Sequence, residues 1–147
     1  MKKKKIGLYF GSFNPVHIGH LIIANYFAEF SDADEVWMVV SPQNPFKSRT
    51  DLLSDYHRYE MVYRALEDFD KIKVSNIEFN MPKPSYTIDT LSFISEKYPE
   101  NQYSIIIGAD NLKSFHKWKN YEAILQYYEV YVFPRPGCTM GKWAEHE

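Results

Sequence analysis

The sequence predicts an α/β fold in which an open parallel β-sheet is flanked by helices on both faces. Short apolar runs alternate along the chain with segments whose apolar residues recur at helical spacing. The runs at 36–40 (VWMVV) and 103–107 (YSIII) are almost continuously apolar, which is typical of parallel strands covered on both faces. Right-handed crossovers between such strands place ligands at the carboxyl ends of the strands.

Five segments are predicted as strands. Four of them are short apolar runs, at 6–10, 36–40, 103–107 and 130–133. The fifth, at 72–79, alternates more between apolar and polar residues, so we expect it nearer to a sheet edge.

Four helices are predicted between these strands. The first begins at Ile18, where apolar residues recur at helical spacing. Ser54 is a candidate N-cap for the second helix, and Thr87 is a candidate N-cap for the third. The fourth covers residues 121–128.

Length and composition limit the class of protein. A chain of 147 residues is the size of one ordinary domain, so we expect a single domain over residues 1–147. Hydrophobic residues make up 45% and aromatic residues 17% of the chain, which excludes a disordered protein. The net charge of -2 offers no global field for a polyanion, so a nucleic-acid partner is not expected.

The cellular location is predicted from the cysteine count and from apolar segments. Cys138 is the single cysteine, which excludes an intramolecular disulfide framework and favours a reducing compartment. The lysines at the start precede only five apolar-rich residues, fewer than a secretion signal needs. No stretch approaches the ~20 apolar residues that span a bilayer. We therefore expect a cytoplasmic protein without a membrane partner.

The densest motif is GSFNPVHIGH at residues 11–20, directly after the first strand and at the start of the first helix. A turn of small residues exposes backbone N–H groups, and a helix N-terminus adds partial positive charge. The motif has neither the dinucleotide-binding spacing nor the lysine of a P-loop. We expect the backbone of Gly11, Ser12 and Phe13 to bind a phosphate.

His17 and His20 are predicted to act together. At i and i+3 in the first helical turn they face the same side, where each can donate a hydrogen bond to one anion. Gly19 leaves room for a flat ring or a ribose to approach the backbone. The alternative is a packed or surface histidine pair. A zinc site is disfavoured because the i, i+4 spacing and an evident third ligand are lacking, so no metal ligand is predicted.

The same motif resembles the G-x-F-x-P-x-H-x-G-H signature of nucleotidylyltransferases with a Rossmann-like fold. Further blocks resemble, in order, those of the bacterial nicotinate mononucleotide adenylyltransferases. They are SPQNPFK at 41–47, PSYTIDTL at 84–91, GADNLKSFHKW at 108–118 and FPRPG at 133–137. The resemblance covers residues 6–137. The first block specifies only nucleotidyl transfer, whereas SYTIDTL and the block ending in Trp118 select this family.

The resemblance implies that ATP and nicotinate mononucleotide react to give nicotinate adenine dinucleotide and pyrophosphate, in NAD biosynthesis. ATP is then the co-substrate, and Mg²⁺ arrives with it. The attacking phosphate oxygen is ionised at pH 7, so neither a general base nor a covalent intermediate is needed. Catalysis consists of aligning two phosphates and neutralising charge. His17 and His20 would donate to the triphosphate.

The resemblance also assigns the nicotinate group. It implies that Trp118 stacks on the ring and that backbone amides around Tyr86 and Thr87 bind its carboxylate. Two alternatives remain open. Trp118 could be a core aromatic residue, and Thr87 could be a helix cap, which is compatible with the first role.

Ribose and phosphate contacts follow from the remaining blocks. The resemblance implies that Asp110 accepts a hydrogen bond from a ribose hydroxyl and that Gly108 allows close approach. It makes Lys47 and Arg135 candidate phosphate contacts. For Asp110, Lys47 and Arg135 the alternative is a solvated side chain.

One block of the family is missing from the 147 residues. Its members end with S-S-T-x-x-R, whose hydroxyls and arginine bind the ATP phosphates at a last helix, but this chain stops at Glu147. We therefore expect the nucleotidylyltransferase fold without its C-terminal helical subdomain. If the chain is natively this short, weak ATP binding and low turnover follow as expectations. Loss of a C-terminal helix would also bare part of one sheet face, so self-association is expected, and a homo-oligomer is left open. The alternative functions are nucleotidyl transfer to another phosphate acceptor and a nucleotide-binding remnant with little activity.

Overall fold

The computed structural model of the chain describes residues 3–42, 54–82 and 86–134, apart from the side chain of Asp110. It contains a five-stranded sheet in which every pairing is parallel. The strands lie in the order β3-β2-β1-β4-β5. They are β1 (Lys4–Gly11), β2 (Glu35–Val40), β3 (Ile72–Ser75), β4 (Asn101–Gly108) and β5 (Glu129–Phe133).

Helices connect these strands, as the alternating pattern predicts. They are α1 (Ile18–Phe30), α2 (Asp55–Ala65), α3 (Thr87–Lys97), α4 (Ala109–Leu112) and α5 (Tyr121–Tyr127). Two short 3₁₀ turns cover Ile77–Asn80 and Phe115–Lys117. Within the described ranges, no helix has both the length and the apolar character needed to cross a membrane.

The strand order creates a switch point beside β1. From β1 the chain proceeds through β2 to β3 on one side, and then crosses to β4 and β5 on the other. The connections that leave the carboxyl ends of β1 and β4 therefore diverge, which opens a crevice between them. This crevice lies next to the GSFNPVHIGH motif, because the motif begins at Gly11, the last residue of β1.

Two hydrophobic cores cover the two faces of the sheet. One core contains Met38 and Val40 together with Phe27 of α1 and Val62 of α2. The other contains Val39 of the same strand, packed with side chains from α3, β4 and α5. Successive residues of β2 thus enter opposite cores. This confirms the prediction that its continuous apolar run is buried on both faces.

The strand predicted at 72–79 is twice as long as the observed strand β3. β3 ends at Ser75, and the residues after it form the 3₁₀ turn rather than continuing to Phe79. The hydroxyl of Ser75 accepts a hydrogen bond from the amide of Ile77 at 3.3 Å, a local turn that competes with sheet pairing. β3 lies at one edge of the sheet, which confirms the predicted edge position of this strand.

Two N-cap residues were predicted for the helices, and the structure confirms one of them. Ser54 accepts from the amide of His57 at 3.2 Å and caps α2 as predicted. The prediction for Thr87 is wrong, because Thr87 is the first residue of α3 and the extended residue before it, Tyr86, occupies the cap position. Among the described residues, no side chain caps this helix start.

The outer face of α1 carries large apolar side chains that remain exposed. They recur every four residues, at Ile18, Ile22, Tyr26 and Phe30. In the described part of the chain, the central strands are covered on both faces, no residue of β5 is fully buried, and an exposed apolar stripe also lies on α1. The expected exposure of part of one sheet face stays a prediction.

Candidate active site

A cleft of about 530 Å³ opens at the carboxyl ends of β1 and β4. This size lies within the range of small-molecule sites, roughly 300–1,000 Å³. The predicted site residues that line it come from four separate parts of the chain. They are Gly11, Ser12, Phe13, His17, His20, Thr87, Gly108 and Trp118.

Five other predicted positions are not placed in the cleft lining. Gly19 and Tyr86 lie next to lining residues but do not themselves line the cleft. Lys47 and Arg135 lie outside the described residues, as does the side chain of Asp110, whose backbone belongs to α4. For these three side chains the predicted roles stay predictions.

The turn after β1 is folded over one buried aromatic ring. Phe13 has a backbone φ of 49°, in the left-handed region, and its side chain is almost fully buried. Its ring packs edge-on against Tyr9 and His20, with centroid separations of 5.5 and 5.0 Å. A Cβ at Gly11 would lie 3.0 Å from the Phe13 ring. The motif thus buries its phenylalanine and keeps the backbone of the turn at the cleft.

Two amides of this turn remain available to a ligand. In the described part of the chain, the N–H groups of Ser12 and Phe13 have no hydrogen-bond acceptor. Both residues line the cleft. Unpaired amide donors at a concave surface suit an anion.

The two histidines cap α1 with each other. His17 is the N-cap residue, and its Nδ1 accepts from the amide of Gly19 at 3.1 Å. His20, three residues further on, accepts with its own Nδ1 from the amide of His17 at 3.1 Å. The rings stack with centroids 3.7 Å apart and planes 26° apart. This is a capping box in which imidazoles replace the usual hydroxyl and carboxylate.

The capping box determines which ring nitrogens carry protons. Because each Nδ1 accepts from a backbone amide, a neutral ring holds its hydrogen on Nε2. Both rings line the cleft, so they can act as N–H donors to an anion there. The amides of His17 and Gly19 are occupied by the rings. At this helix start the imidazoles, rather than the amides of His17 and Gly19, are the groups that can donate to an anion.

Gly19 has a structural role beside the His17 ring. A Cβ at this position would lie 2.9 Å from Cε1 and 3.0 Å from Nδ1 of His17. The missing side chain makes room for the imidazole, and the predicted approach of a ligand ring or a ribose stays a prediction.

On the opposite side of the cleft, the start of α3 offers further amides. The amides of Asp89 and Thr90 bond to the carbonyl of Tyr86. Those of Thr87 and Ile88 have no acceptor in the described chain, and no side chain caps the helix. Such a start can bind a carboxylate.

Trp118 lies both at the edge of the second core and at the cleft, so its core role is observed and its stacking on a nicotinate ring stays a prediction. Its ring lies 4.8 Å from that of Phe115, centroid to centroid, and it packs at the edge of the second core. It also lines the cleft and is only half-buried. One part of the side chain is therefore structural, and the other faces the cleft.

Sequence reasoning missed Arg58. Its side chain on α2 is completely buried, and Nη1 donates to the carbonyls of Ser12 and Ser41, each at 2.7 Å. Nη2 donates to Asp55. In the sequence, Arg58 resembles Arg64, which lies on the same helix but is exposed and pairs with Glu60. No sequence signal separates the two arginines.

A buried carboxyl group behind α3 was also missed. Glu78 is nearly inaccessible, and the hydroxyl of Thr90 donates to it at 2.7 Å. Burial raises the pKa of Glu78 above its ordinary value. The alternating pattern at 72–79 predicted that Glu78 lies in a strand. It lies instead in the 3₁₀ turn after β3, so the sequence did not indicate that this carboxyl group is buried.

A turn with unpaired amides and two imidazoles at the switch point of a parallel sheet is typical of α/β nucleotide-binding enzymes, and the similarities below give the class as nucleotidyltransferase. The chain belongs to the cytidylyltransferase-like family, whose model matches residues 8–146.

Curated relatives are more specific. A probable nicotinate-nucleotide adenylyltransferase of Christiangramia forsetii is 55% identical over 145 residues, which cover 97% of this chain and 75% of the relative. One from Flavobacterium johnsoniae is 59% identical over 131 residues, covering 89% of this chain and 68% of the relative. These similarities confirm the predicted resemblance. The chain spans about two thirds to three quarters of the length of these relatives.

Solved structures share the fold. One named as a nicotinate-nucleotide adenylyltransferase from Vibrio parahaemolyticus has a TM-score of 0.75 at 25% identity, covering 90% of this chain and 75% of that one. The Plasmodium falciparum nicotinic acid mononucleotide adenylyltransferase complexed with NaAD has a TM-score of 0.72 at 20% identity, covering 93% and 77%. The predicted nucleotidylyltransferase fold is confirmed.

Proposed function

We propose that the cleft binds ATP and nicotinate mononucleotide together and transfers the adenylyl group between them, giving nicotinate adenine dinucleotide and pyrophosphate. The observation that carries this proposal is one cleft with two separate groups of N–H donors. The imidazoles and turn amides line one side, and the start of α3, which no described side chain caps, lies on the other. The names of the curated relatives support the same reaction.

The proposed chemistry needs alignment rather than proton transfer. An oxygen of the mononucleotide phosphate attacks the α-phosphorus of ATP, the bond to the bridging oxygen breaks, and pyrophosphate leaves with that electron pair. The Nε2–H groups of His17 and His20 donate to the triphosphate, and the amides of Ser12 and Phe13 hold a phosphate in line. Preorganised donors of this kind contribute ~2.7–4 kcal/mol each to stabilising the transition state.

The nicotinate group is proposed to bind at the other side of the cleft. The amides of Thr87 and Ile88 donate to its carboxylate, and the exposed part of Trp118 stacks on the ring. A carboxamide in the same place would turn one N–H₂ group towards these donors. We therefore propose selectivity for nicotinate over nicotinamide mononucleotide, and equal rates with both would remove its basis.

Contacts to ribose and phosphate complete the proposal. Asp110 and Gly108 would bind a ribose, and Lys47 and Arg135 would contact phosphates, as the family resemblance implies. Among the described residues, no three His, Cys, Asp or Glu side chains form a metal-binding group. We propose that Mg²⁺ is carried by the ATP phosphates, and no step depends on a metal held by protein side chains.

Three broader expectations stay predictions with their own measurements. A single domain over residues 1–147 predicts one cooperative unfolding transition. A homo-oligomer is measured by sedimentation velocity. A cytoplasmic location is measured by fractionation of the native cells.

The decisive experiment compares phosphate acceptors. The protein is incubated with Mg-ATP and one of nicotinate mononucleotide, nicotinamide mononucleotide, phosphopantetheine or glycerol phosphate. Pyrophosphate release and ligand-induced thermal stabilisation are measured side by side. We expect release with nicotinate mononucleotide. Release only with another acceptor would support the alternative enzyme, and stabilisation without any release would support the nucleotide-binding remnant.

A further inference from the structure

The guanidinium group of Arg58 joins the ends of two neighbouring strands. Ser12 is the first residue after β1, and Ser41 is the first residue after β2. Nη1 of Arg58 donates to both of their carbonyls at 2.7 Å, while Nη2 donates to Asp55 on its own helix. The amide of Ser41 also donates to the carbonyl of Gly11 at 2.9 Å. Both loops are therefore attached to one buried cation.

This attachment determines where an amide of the cleft points. The peptide between Ser12 and Phe13 is trans, because the cis bond in the described chain lies between Asn14 and Pro15. In a trans peptide the C=O and N–H groups point in opposite directions. Since the Ser12 carbonyl points at Arg58, the Phe13 N–H points away from it.

The direction away from Arg58 is that of the cleft. Ser12, Phe13 and Ser41 line the cleft, whereas Arg58 does not. The Phe13 amide has no acceptor in the described chain. Left-handed backbone at Phe13 is unfavourable for a residue with a side chain. Contacts from residues outside the turn are therefore needed to stabilise this conformation.

Only an arginine can make these contacts together. Its planar fork donates to two carbonyls and a carboxylate at once, whereas a lysine ammonium is a single point of charge on a flexible stem. The Arg58 side chain is 0% exposed, against 73% for Arg64 on the same helix. A charge is buried this completely only where it is paired and hydrogen-bonded.

We propose that Arg58 is a positioning residue that holds the Ser12 carbonyl and thereby directs the Phe13 amide at a ligand phosphate. This inference rests on the proposed function, because it assumes that the turn after β1 binds a phosphate. Arg58 does not touch the substrate. Its effect reaches the substrate through the backbone of the turn.

The test compares Arg58→Lys with Arg64→Lys, a matched change on the same helix away from the cleft. The probes are inorganic pyrophosphate, which has only phosphate groups, and nicotinate riboside, which has none. Binding of each is followed by amide signals in ¹⁵N-labelled protein. We expect Arg58→Lys to weaken pyrophosphate binding at least tenfold, to shift the free Phe13 amide signal and to leave riboside binding unchanged. Arg64→Lys should change none of these.

A measurement on the unmodified protein covers the case in which Arg58→Lys does not fold. In the unmodified protein, the Nη protons of Arg58 should exchange with water far more slowly than those of Arg64. Addition of pyrophosphate should shift the Phe13 amide signal. Exchange as fast as that of Arg64 would overturn the inference.

The outcomes separate this inference from the proposed function. If the unmodified protein binds pyrophosphate at the turn and Arg58→Lys binds it equally well, the positioning role is wrong and the proposed function stands. An equal loss of pyrophosphate and riboside binding would show a general structural role and overturn the inference. Absence of pyrophosphate binding by the unmodified protein would overturn both.

Discussion

The double role of His17 leads to a prediction that separates folding from catalysis. Its Nδ1 caps α1 through the amide of Gly19, while its Nε2 is available to the cleft. Replacement by alanine removes both functions. Replacement by asparagine removes the ring but leaves a side-chain oxygen, and asparagine is among the preferred N-cap residues. We expect His17→Asn to fold as stably as the unmodified protein and to lose its activity.

The two losses have different sizes. Loss of an N-cap costs about 0.5–2 kcal/mol of stability. For a chain of this length each 1 kcal/mol lowers Tm by roughly 2–4 °C, so His17→Ala should unfold a few degrees earlier. Loss of one transition-state donor costs ~2.7–4 kcal/mol, or roughly 10²–10³-fold in turnover. Both variants should therefore show this loss of turnover, but only the alanine variant should lose stability.

Thermal unfolding and pyrophosphate release, measured on the same preparations, test this reasoning. Equal Tm values for His17→Ala and the unmodified protein would refute the capping role. Turnover by His17→Asn within threefold of the unmodified protein would refute the donor role. His57→Asn, an exposed histidine on α2, is the matched control and should leave both quantities unchanged.

Four further changes have distinct expected results. Gly19→Ala should lower both Tm and turnover, because its Cβ would displace the His17 ring. Trp118→Ala should weaken nicotinate mononucleotide binding roughly tenfold or more, since aromatic stacking contributes about 1–3 kcal/mol, while Trp118→Phe should retain most of it. Thr90→Val should destabilise the fold by about 1–3 kcal/mol in denaturant unfolding, because it removes the donor to the buried Glu78 carboxyl, and Thr90→Ser should not. Because burial raises the folded-state pKa of Glu78, this group makes stability fall as pH rises from 4.5 through the raised pKa, and Glu78→Gln should remove that fall.

Each of these expectations has a contrary result. Full activity of Gly19→Ala would show that the His17 ring tolerates a Cβ beside it. Equal nicotinate mononucleotide affinity for Trp118→Ala and Trp118→Phe would exclude stacking. Equal stability of Thr90→Val and Thr90→Ser would mean that the hydroxyl contributes nothing. For Glu78→Gln, a stability difference from the unmodified protein that stays constant over this pH range would contradict the assigned pKa shift.

Sequence patterns predicted the parts of the site that are contiguous along the chain. The motif at 11–20 lies where the strand-to-helix signals placed it, and its His17 and His20 line the cleft. Trp118, which also lines the cleft, was assigned through the family resemblance and not through a local pattern. The spacing of His17 and His20 equals that of a capping box, so their mutual hydrogen bonds could also have been anticipated. They were not, because histidine is not among the usual capping residues.

The sequence by itself determined the alternation of strands and helices, because apolar periodicity reports which local conformation can bury one face or two. It also determined the turn after the first strand, which is made from consecutive residues. Only the tertiary structure distinguished Arg58 from Arg64 and placed Glu78 beneath Thr90. Those distinctions depend on which distant carbonyls, hydroxyls and side chains surround a group, and burial by distant segments leaves no trace in the local order of residues.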